Sequence, residues 1–422
     1  MDKFGEVAYR KITWRLLPIL FCCYILAYLD RVNVGFAKLE MNAEPWFSDS
    51  VFALGSGIFF LGYFLFEVPG NLIMHRVGAR IWITRIMITW GICSVLCAFS
   101  TDPIHFYFFR FLLGVAEAGF FPAIILYLTY WYPKKYRARI YAGFMMAVAF
   151  AGVIGSPLSG WILDSSKSFS VGLPWQWLFV IEGIPSILIG LLLPFLLTNK
   201  PSDARWLTEE EKKQIESDLK ESSVVNSGKW FDAFKSSAVW LSTMTYFSFV
   251  MGLYGVSFWM PQIIQDIFKL DHTAVGWLTA IPWTCAAIGM ILFGWSSDRR
   301  GDRKWHLIIA SMVGMIAFFL SGNSSASPAV VLIALSVATT AVMCLVSTFW
   351  SVPTALLSGT AAAAGLAWIN SVANLGGFLS PEMFSWLKND FGLGAGLKAT
   401  GLFIGLGGFF VFLLQKLTGK KI

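Results

Sequence analysis

The sequence predicts an all-α membrane protein with twelve transmembrane helices in two pseudo-symmetric six-helix bundles. Three observations lead there. Of 422 residues, 56% are hydrophobic and only 14% charged, with a mean hydropathy of +0.65; a soluble domain carries about 25% charge. Apolar stretches long enough to cross a bilayer recur along the whole chain. One long polar segment falls in the middle, and the loops in the two halves echo each other. Such a composition excludes a soluble enzyme, a nucleic-acid binder, a fibre or a disordered chain.

A bilayer core of about 30 Å needs about 20 apolar helical residues. That rule places spans at 14–36, 52–74, 81–100, 104–130, 139–163, 175–197, 238–262, 274–296, 305–321, 328–352, 360–386 and 395–417. The first is too long for the apolar core of a signal peptide and has no clear cleavage site, so it is expected to be retained.

The net charge of +7 is explained by orientation. With the N-terminus inside, 25 of the 32 Lys and Arg fall in the N-terminal segment, the 2–3, 4–5 and 8–9 connections, the central loop and the tail. Five (Lys38, Lys167, Lys269, Lys388 and Lys398) fall on the other side, and Arg31 and Arg110 lie within spans. Basic residues collect on cytoplasmic loops, so both termini are expected in the cytoplasm. No nucleic acid is needed to account for the charge.

The central loop, about 198–235, holds seven basic and eight acidic residues. Thr208 followed by Glu211 reads as a capping box that starts a helix running to about Glu221. It is expected to be a solvated linker, dividing the chain into a six-helix bundle at 1–197, a linker with an amphipathic helix at 198–237 and a second bundle at 238–422. Gly294, Asp298, Arg299, Gly301 and Arg303 in the 8–9 loop have counterparts at Asn71, His75, Arg76, Gly78 and Arg80 in the 2–3 junction. Six plus six spans with matching halves is the plan of a secondary transporter whose site lies between the halves. The six cysteines lie inside apolar stretches without a CxxC pair or a Cys/His cluster. They read as buried thiols, and no metal site is expected.

Ionisable groups inside spans are costly and mark substrate or ion pathways by default. The clear cases are Asp30, Arg31, Glu67, Arg110 and Glu117, with Glu182 nearer the outer end of span 6. Asp30 and Arg31 are expected about 9 Å from the outer end of span 1, at the level of Arg110. Arg110, Gly114 and Glu117 share a helical face, and Gly114 allows a neighbour close. Asp30 is expected to neutralise one Arg when ionised and to release it when protonated, and a carboxylate substrate then fits the free guanidinium fork. Glu117, deeper, is a second candidate for protonation. Glu67 reads as a gate or structural residue. Ser336, Thr340, Ser347 and Ser351 form a polar stripe on span 10, beside Trp350. Asn370 and Asn374 share a face of span 11. Such stripes line cavities or join helices.

The loop motif resembles that of the major facilitator superfamily, in which these loops brace the cytoplasmic gate. The second copy is good; the first has Asn71 for Gly and His75 for Asp. That resemblance implies gate or structural roles for His75, Arg76, Asp298 and Arg299, and His75 makes acid sensitivity of the gate a question. Tyr28 to Gly35, Phe60 to Tyr63 with Glu67 to Leu72, Arg110 to Gly119, and Asn374 to Pro381 are similar to the anion:cation symporter family. The bacterial branch of tartrate, phthalate and hydroxyphenylacetate permeases is the most similar. The resemblance covers essentially the whole chain.

It implies proton-driven import of a small organic carboxylate by alternating access, in the inner membrane of a bacterium, by a monomer with no cofactor beyond H+. Carried over, Arg31 binds the carboxylate, and Tyr28, Tyr63 and Asn374 hydrogen-bond it. Asp30 and Glu117 take the proton, with Arg110 coupled to them. By analogy, Trp350 and the Ser347/Ser351 face close the cavity from the second half, and Asn370 is a further substrate-binding candidate. Span 5 has no polar side chain from Met145 to Gly152, which leans toward a less hydroxylated or aromatic acid. The alternatives are an organic-anion or organophosphate antiporter using both Arg without a proton, and a carboxylate receptor that moves nothing. No catalytic motif or phosphate loop appears.

Overall fold

The computed structural model describes residues 3–221, 236–356 and 359–418. Among them every regular element is helical. Eleven helical stretches are long and apolar enough to cross a membrane. The first half runs α1 (Lys3–Val32), α2 (Val34–Met41), α3 (Asp49–Val77), α4 (Ala79–Cys97), α5 (Pro103–Glu117), α6 (Phe120–Thr129), α7 (Lys134–Ser166) and α8 (Pro174–Leu196). α9 (Glu209–Glu221) lies in the linker. The second half runs α10 (Ser237–Phe268), α11 (His272–Arg300), α12 (Arg303–Ser321), α13 (Pro328–Phe349), α14 (Ser351–Leu356), α15 (Gly359–Asn374), α16 (Gly376–Phe391) and α17 (Leu393–Thr418).

Polar residues at the turns start these helices. Asp102 accepts from the Ile104 and His105 amides at 2.9 and 3.0 Å, and Asp271 from Ala274 at 2.7 Å. Each such bond satisfies a helix N-terminal amide that has no partner within the helix. Four expected spans are interrupted: span 1 at Asn33, span 4 at Ala118–Gly119, span 10 at Trp350 and span 11 at Leu375. Gly119 takes a left-handed conformation, with φ of 83°, which apolar periodicity does not reveal. The expected span 360–386 is therefore two 16-residue helices, α15 and α16, each shorter than a full crossing.

The echo between the loops is structural. Gly78 ends α3 at φ 87°, and Gly301 ends α11 at φ 61°. In the first half, Asn199 from beyond α8 caps α4, its Oδ1 accepting from the Arg80 amide at 3.0 Å.

The linker helix is docked, not freely solvated. Thr208 and Glu211 make the capping box, at 2.9 and 3.2 Å. Glu211 also takes Lys11 Nζ at 2.6 Å, and Tyr9 Oη donates to Asp218 at 2.9 Å. Leu207 and Ile215 are buried, and Trp206 stacks on Trp131 with centroids 5.6 Å apart. Of the thiols, Cys23, Cys97 and Cys344 are buried, whereas Cys22 and Cys285 are exposed on the apolar surface.

Candidate functional site

Arg31 lies in the last turn of α1, just before the break at Asn33, and is buried between the halves. Its guanidinium pairs with Glu117 and donates to Tyr254 Oη on α10 at 2.6 Å. Rings enclose it: Phe59, Tyr63 and Tyr28 have centroids 5.2, 5.7 and 6.0 Å from Cζ. Such faces favour a desolvated cation. Glu117 is the last residue of α5, so the Gly119 break sets where its carboxylate ends. A Cβ at Gly114 would lie 1.9 Å from the Phe59 carbonyl oxygen, so only glycine lets α3 and α5 approach this closely. The first span continues to Met41, ten residues beyond Arg31. Arg31 is thus about 15 Å from the C-terminal end of that stretch.

Asp30 does not neutralise Arg31. It faces α4 and α8, where it accepts from Trp90 Nε1 at 2.8 Å, Ser94 Oγ at 2.9 Å and Ser186 Oγ at 2.6 Å. Consecutive helical residues point about 100° apart, and here that angle separates acid from base. Arg110 is fully buried, with Nε on the Gly55 carbonyl at 3.2 Å and Nη2 on the Arg31 carbonyl at 3.3 Å. No carboxylate lies within 4.0 Å of it among the described residues. The counterion of Arg31 is Glu117.

Beside this pair a cavity opens between the halves. Arg31, Tyr24, Tyr28, Tyr63 and Phe121 line it from the first half, with Met145 and Val148. Tyr246, Val250, Leu253 and Tyr254 on α10, Met290, Met343, Val346, Ser347, Asn370 and Asn374 line it from the second. Arg31 is the one charged side chain among the described lining residues. Apart from Ser347, Asn370 and Asn374, the rest of the wall is aromatic, thioether and aliphatic.

The Major Facilitator Superfamily profile matches residues 20–381. The chain belongs to that superfamily. A candidate tartrate transporter of Agrobacterium vitis is 45% identical over 389 residues, 91% of this chain and 85% of the relative. The candidate metabolite transport protein NicT of Pseudomonas putida is 44% identical over 386 residues, 91% and 88% of the two chains. The fold is similar to the crystal structure of a D-xylose-proton symporter, with a TM-score of 0.78, 15% identity, and coverage of 97% and 99%. This is an all-helical, multi-pass membrane transport protein of the Major Facilitator Superfamily.

In this superfamily member Tyr28, Tyr63, Asn370 and Asn374 line the cavity. Tyr28 Oη is bonded to Ser257 Oγ at 2.8 Å. Asn370 Nδ2 and Ser371 Oγ both donate to Glu67, at 2.6 Å each. Glu67 thus joins α3 to α15 across the halves, a tie rather than a lining residue. Asn374 Nδ2 is spent on the Asn370 carbonyl at 3.0 Å. Trp350 and Ser351 do not line the cavity. Trp350 packs on Tyr246, a lining residue, with centroids 4.8 Å apart. Ser351 Oγ donates to the Thr348 carbonyl at 2.7 Å. The other stripe hydroxyls bond backward in the same way, and only Ser347 reaches the cavity. Arg76 and Asp298 are exposed, and Arg303 reaches Asp298 at 3.5 Å. Arg299 lies over the Trp295 ring at 5.3 Å. His75 and Asn71 lie outside the residues whose side chains are described.

Sequence reasoning missed Tyr246, Tyr254 and Ser257. Their signal was available: Tyr246, Val250, Leu253 and Ser257 recur at i, i+4, i+7 and i+11, one face of a helix. It also missed Trp90, Ser94 and Ser186, whose partner is known only once α4 and α8 pack around α1.

At one end of the bundle the halves are pinned together. Asp164 accepts from the Thr273 amide and hydroxyl at 2.7 Å each, and His272 Nε2 meets Glu40 at 2.6 Å. Asp49 takes Lys388 at 2.7 Å and also pairs with Lys38. Lys38 is not a solvent-exposed outer lysine; it is buried against Phe52 and Trp259, with centroids 5.1 and 5.3 Å from Nζ.

Proposed function

We propose that this transporter is a proton-coupled symporter that imports a small organic carboxylate by alternating access. The observation that carries the reading is the Arg31–Glu117 pair at the wall of the central cavity. A buried guanidinium needs an anion. With Glu117 ionised, that anion is supplied internally. A proton on Glu117 removes it, and a substrate carboxylate then takes the fork, so proton and substrate enter as a neutral set. Asp30, hydrogen-bonded three times behind Arg31, is the second protonation site, and Arg110 holds the backbone between them.

The charge count and the wall favour one carboxylate on an apolar or aromatic body. A second carboxylate has no second cation among the described lining residues, and the Nδ2 groups of both lining asparagines that sugar hydroxyls would use are already bonded. The antiport reading wants two arginines on one anion; Arg110 lies outside the lining, which disfavours it. The 25-to-5 distribution of basic residues supports cytoplasmic termini, which makes the pinned end the outer one in this reading; we read the protein as a monomer in a bacterial inner membrane.

The test is uptake into proteoliposomes under an inward proton gradient, using labelled L-tartrate, phthalate and 4-hydroxyphenylacetate. At least one acid should accumulate above equilibrium, the aromatic acids ahead of tartrate, and Asp30→Asn should abolish accumulation. Should no acid accumulate, or should Asp30→Asn still concentrate one, proton coupling is wrong.

A further inference from the structure

Asp30 raises a question of access. It does not line the substrate cavity, and its three bonds run into the interior of the first half. A proton has to reach it from elsewhere. A second, smaller cavity lies between the halves, lined among others by Asn33, Ser156, Ser159, Ser257, Thr279 and Trp283. The Tyr28–Ser257 bond stands between the two: Tyr28 lines the first cavity and Ser257 the second.

Asn33 is 2% exposed; its side-chain amide is turned toward Glu182 without completing a well-formed hydrogen bond, and its Oδ1 has no partner. Leaving a buried amide oxygen unmet is costly, and such groups usually bind ordered water. Next to it, Ser159 Oγ donates to Glu182 Oε1 at 2.6 Å, while Glu182 Oε2 is buried without a partner. Helix α8 packs on α4, α7, α1 and α2. None of them brings a cation within 4.0 Å of Glu182 among the described residues, and the charged group that acts on it is Asp30. Four residues along the same face of α8 is Ser186, which donates to Asp30 at 2.6 Å.

We infer that Glu182 is a proton-relay residue that takes a proton from water in the Asn33-lined cavity and passes it through the Ser186 hydroxyl to Asp30. This rests on the proton-coupled reading above. Only O–H bonds change. Water-borne H+ adds to Glu182 Oε2, Ser186 gives its proton to Asp30 and is reprotonated from Glu182, and Glu182 returns to carboxylate.

The experiment uses the same proteoliposomes, with labelled L-tartrate and 4-hydroxyphenylacetate as probes. Glu182→Gln is expected to slow gradient-driven uptake about 100-fold or more, the scale of a lost proton-transfer group. Counterflow at equal pH should stay near wild type, because exchange needs no net proton movement. Glu182→Asp should restore uptake, and Asn33→Leu with Ser159→Ala should slow uptake while sparing counterflow. Wild-type uptake with an unchanged pH profile in Glu182→Gln overturns the relay. Equal loss of counterflow and uptake overturns it too, since that marks a packing role. Where Glu182→Gln does not fold, the Asn33/Ser159 double variant decides, and wild-type uptake there sinks the idea. Wild-type protein that accumulates neither acid overturns the symport reading itself, whereas accumulation at the wild-type rate in Glu182→Gln removes the relay alone.

Discussion

Arg31 and Glu117 hold opposite charges in a place that excludes water, and neither tolerates losing the other. Removing one partner of a buried pair leaves an uncompensated charge. Glu117→Gln should therefore leave Arg31 open to an external carboxylate at any pH. The expected outcome is binding whose affinity no longer varies with pH, together with loss of gradient-driven accumulation. Isothermal titration across pH 5.5–8.5 checks the first and proteoliposome uptake the second; wild-type pH dependence in this variant would falsify the exchange scheme. Arg31→Lys keeps the charge but loses the fork, which should weaken binding about 10- to 100-fold. The sequence made Asp30, Arg31, Arg110 and Glu117 conspicuous as charges in apolar spans. It did not reveal their pairing, because that depends on which neighbour fills each 100° sector of α1.

At the scale of elements, interruptions and docking matter more than span count. The break at Gly119 fixes the end of α5, and with it Glu117; an apolar run reads as one helix on either side of such a turn. The linker helix α9 shows the reverse. Its capping box was legible from four residues, but its burial was not, since the surface that receives it comes from α1 and the end of α6. Burial pushes the Glu211 carboxyl up, but the Lys11 hydrogen bond, the Thr208 amide and the Lys11 charge outweigh it and hold it below its ordinary value. A depressed carboxylate stabilises the docked state above its ordinary pKa, and the contribution is lost as pH falls through the docked value. Glu211→Gln should thus speed amide exchange across 209–221 about 2- to 5-fold at neutral pH, the range of a partly exposed ion pair. Below the carboxylate range, wild type and variant should exchange alike. Hydrogen-exchange mass spectrometry at both ends of the range measures this, and equal rates at neutral pH would show that Lys11–Glu211 contributes nothing to docking.

For the molecule as a whole, transport requires that the pinned end open, and the geometry shows what holds it. Helices α7 and α11 meet there across the halves at van der Waals distance. A Cβ on Gly160 would sit 2.2 Å from the His272 carbonyl oxygen, and one on Gly276 would sit 2.5 Å from that of Ser156. Close backbone approach at small residues is how helices pack tightly in lipid. The polar pins Asp164–Thr273 and Glu40–His272 lie at the same interface. A bulky residue at Gly160 cannot fit in this closed state, so Gly160→Trp should shift the population toward the state in which this end is apart. A ligand or wedge shifts an equilibrium only by its differential free energy between states. Overlap with main-chain atoms, which cannot swing aside, makes that difference large here. In a cysteine-free background, Ser257→Cys reports the outcome, because Ser257 lines the small cavity and is buried when the end is closed. Labelling by an impermeant maleimide added to the pinned side should rise about 10-fold with Gly160→Trp, a shift of about 1.4 kcal/mol. Uptake should fall in parallel, since a carrier held open on one side cannot cycle. Labelling that instead rises only when the reagent is added to the opposite face would mean that the pinned end is not the one Gly160 controls.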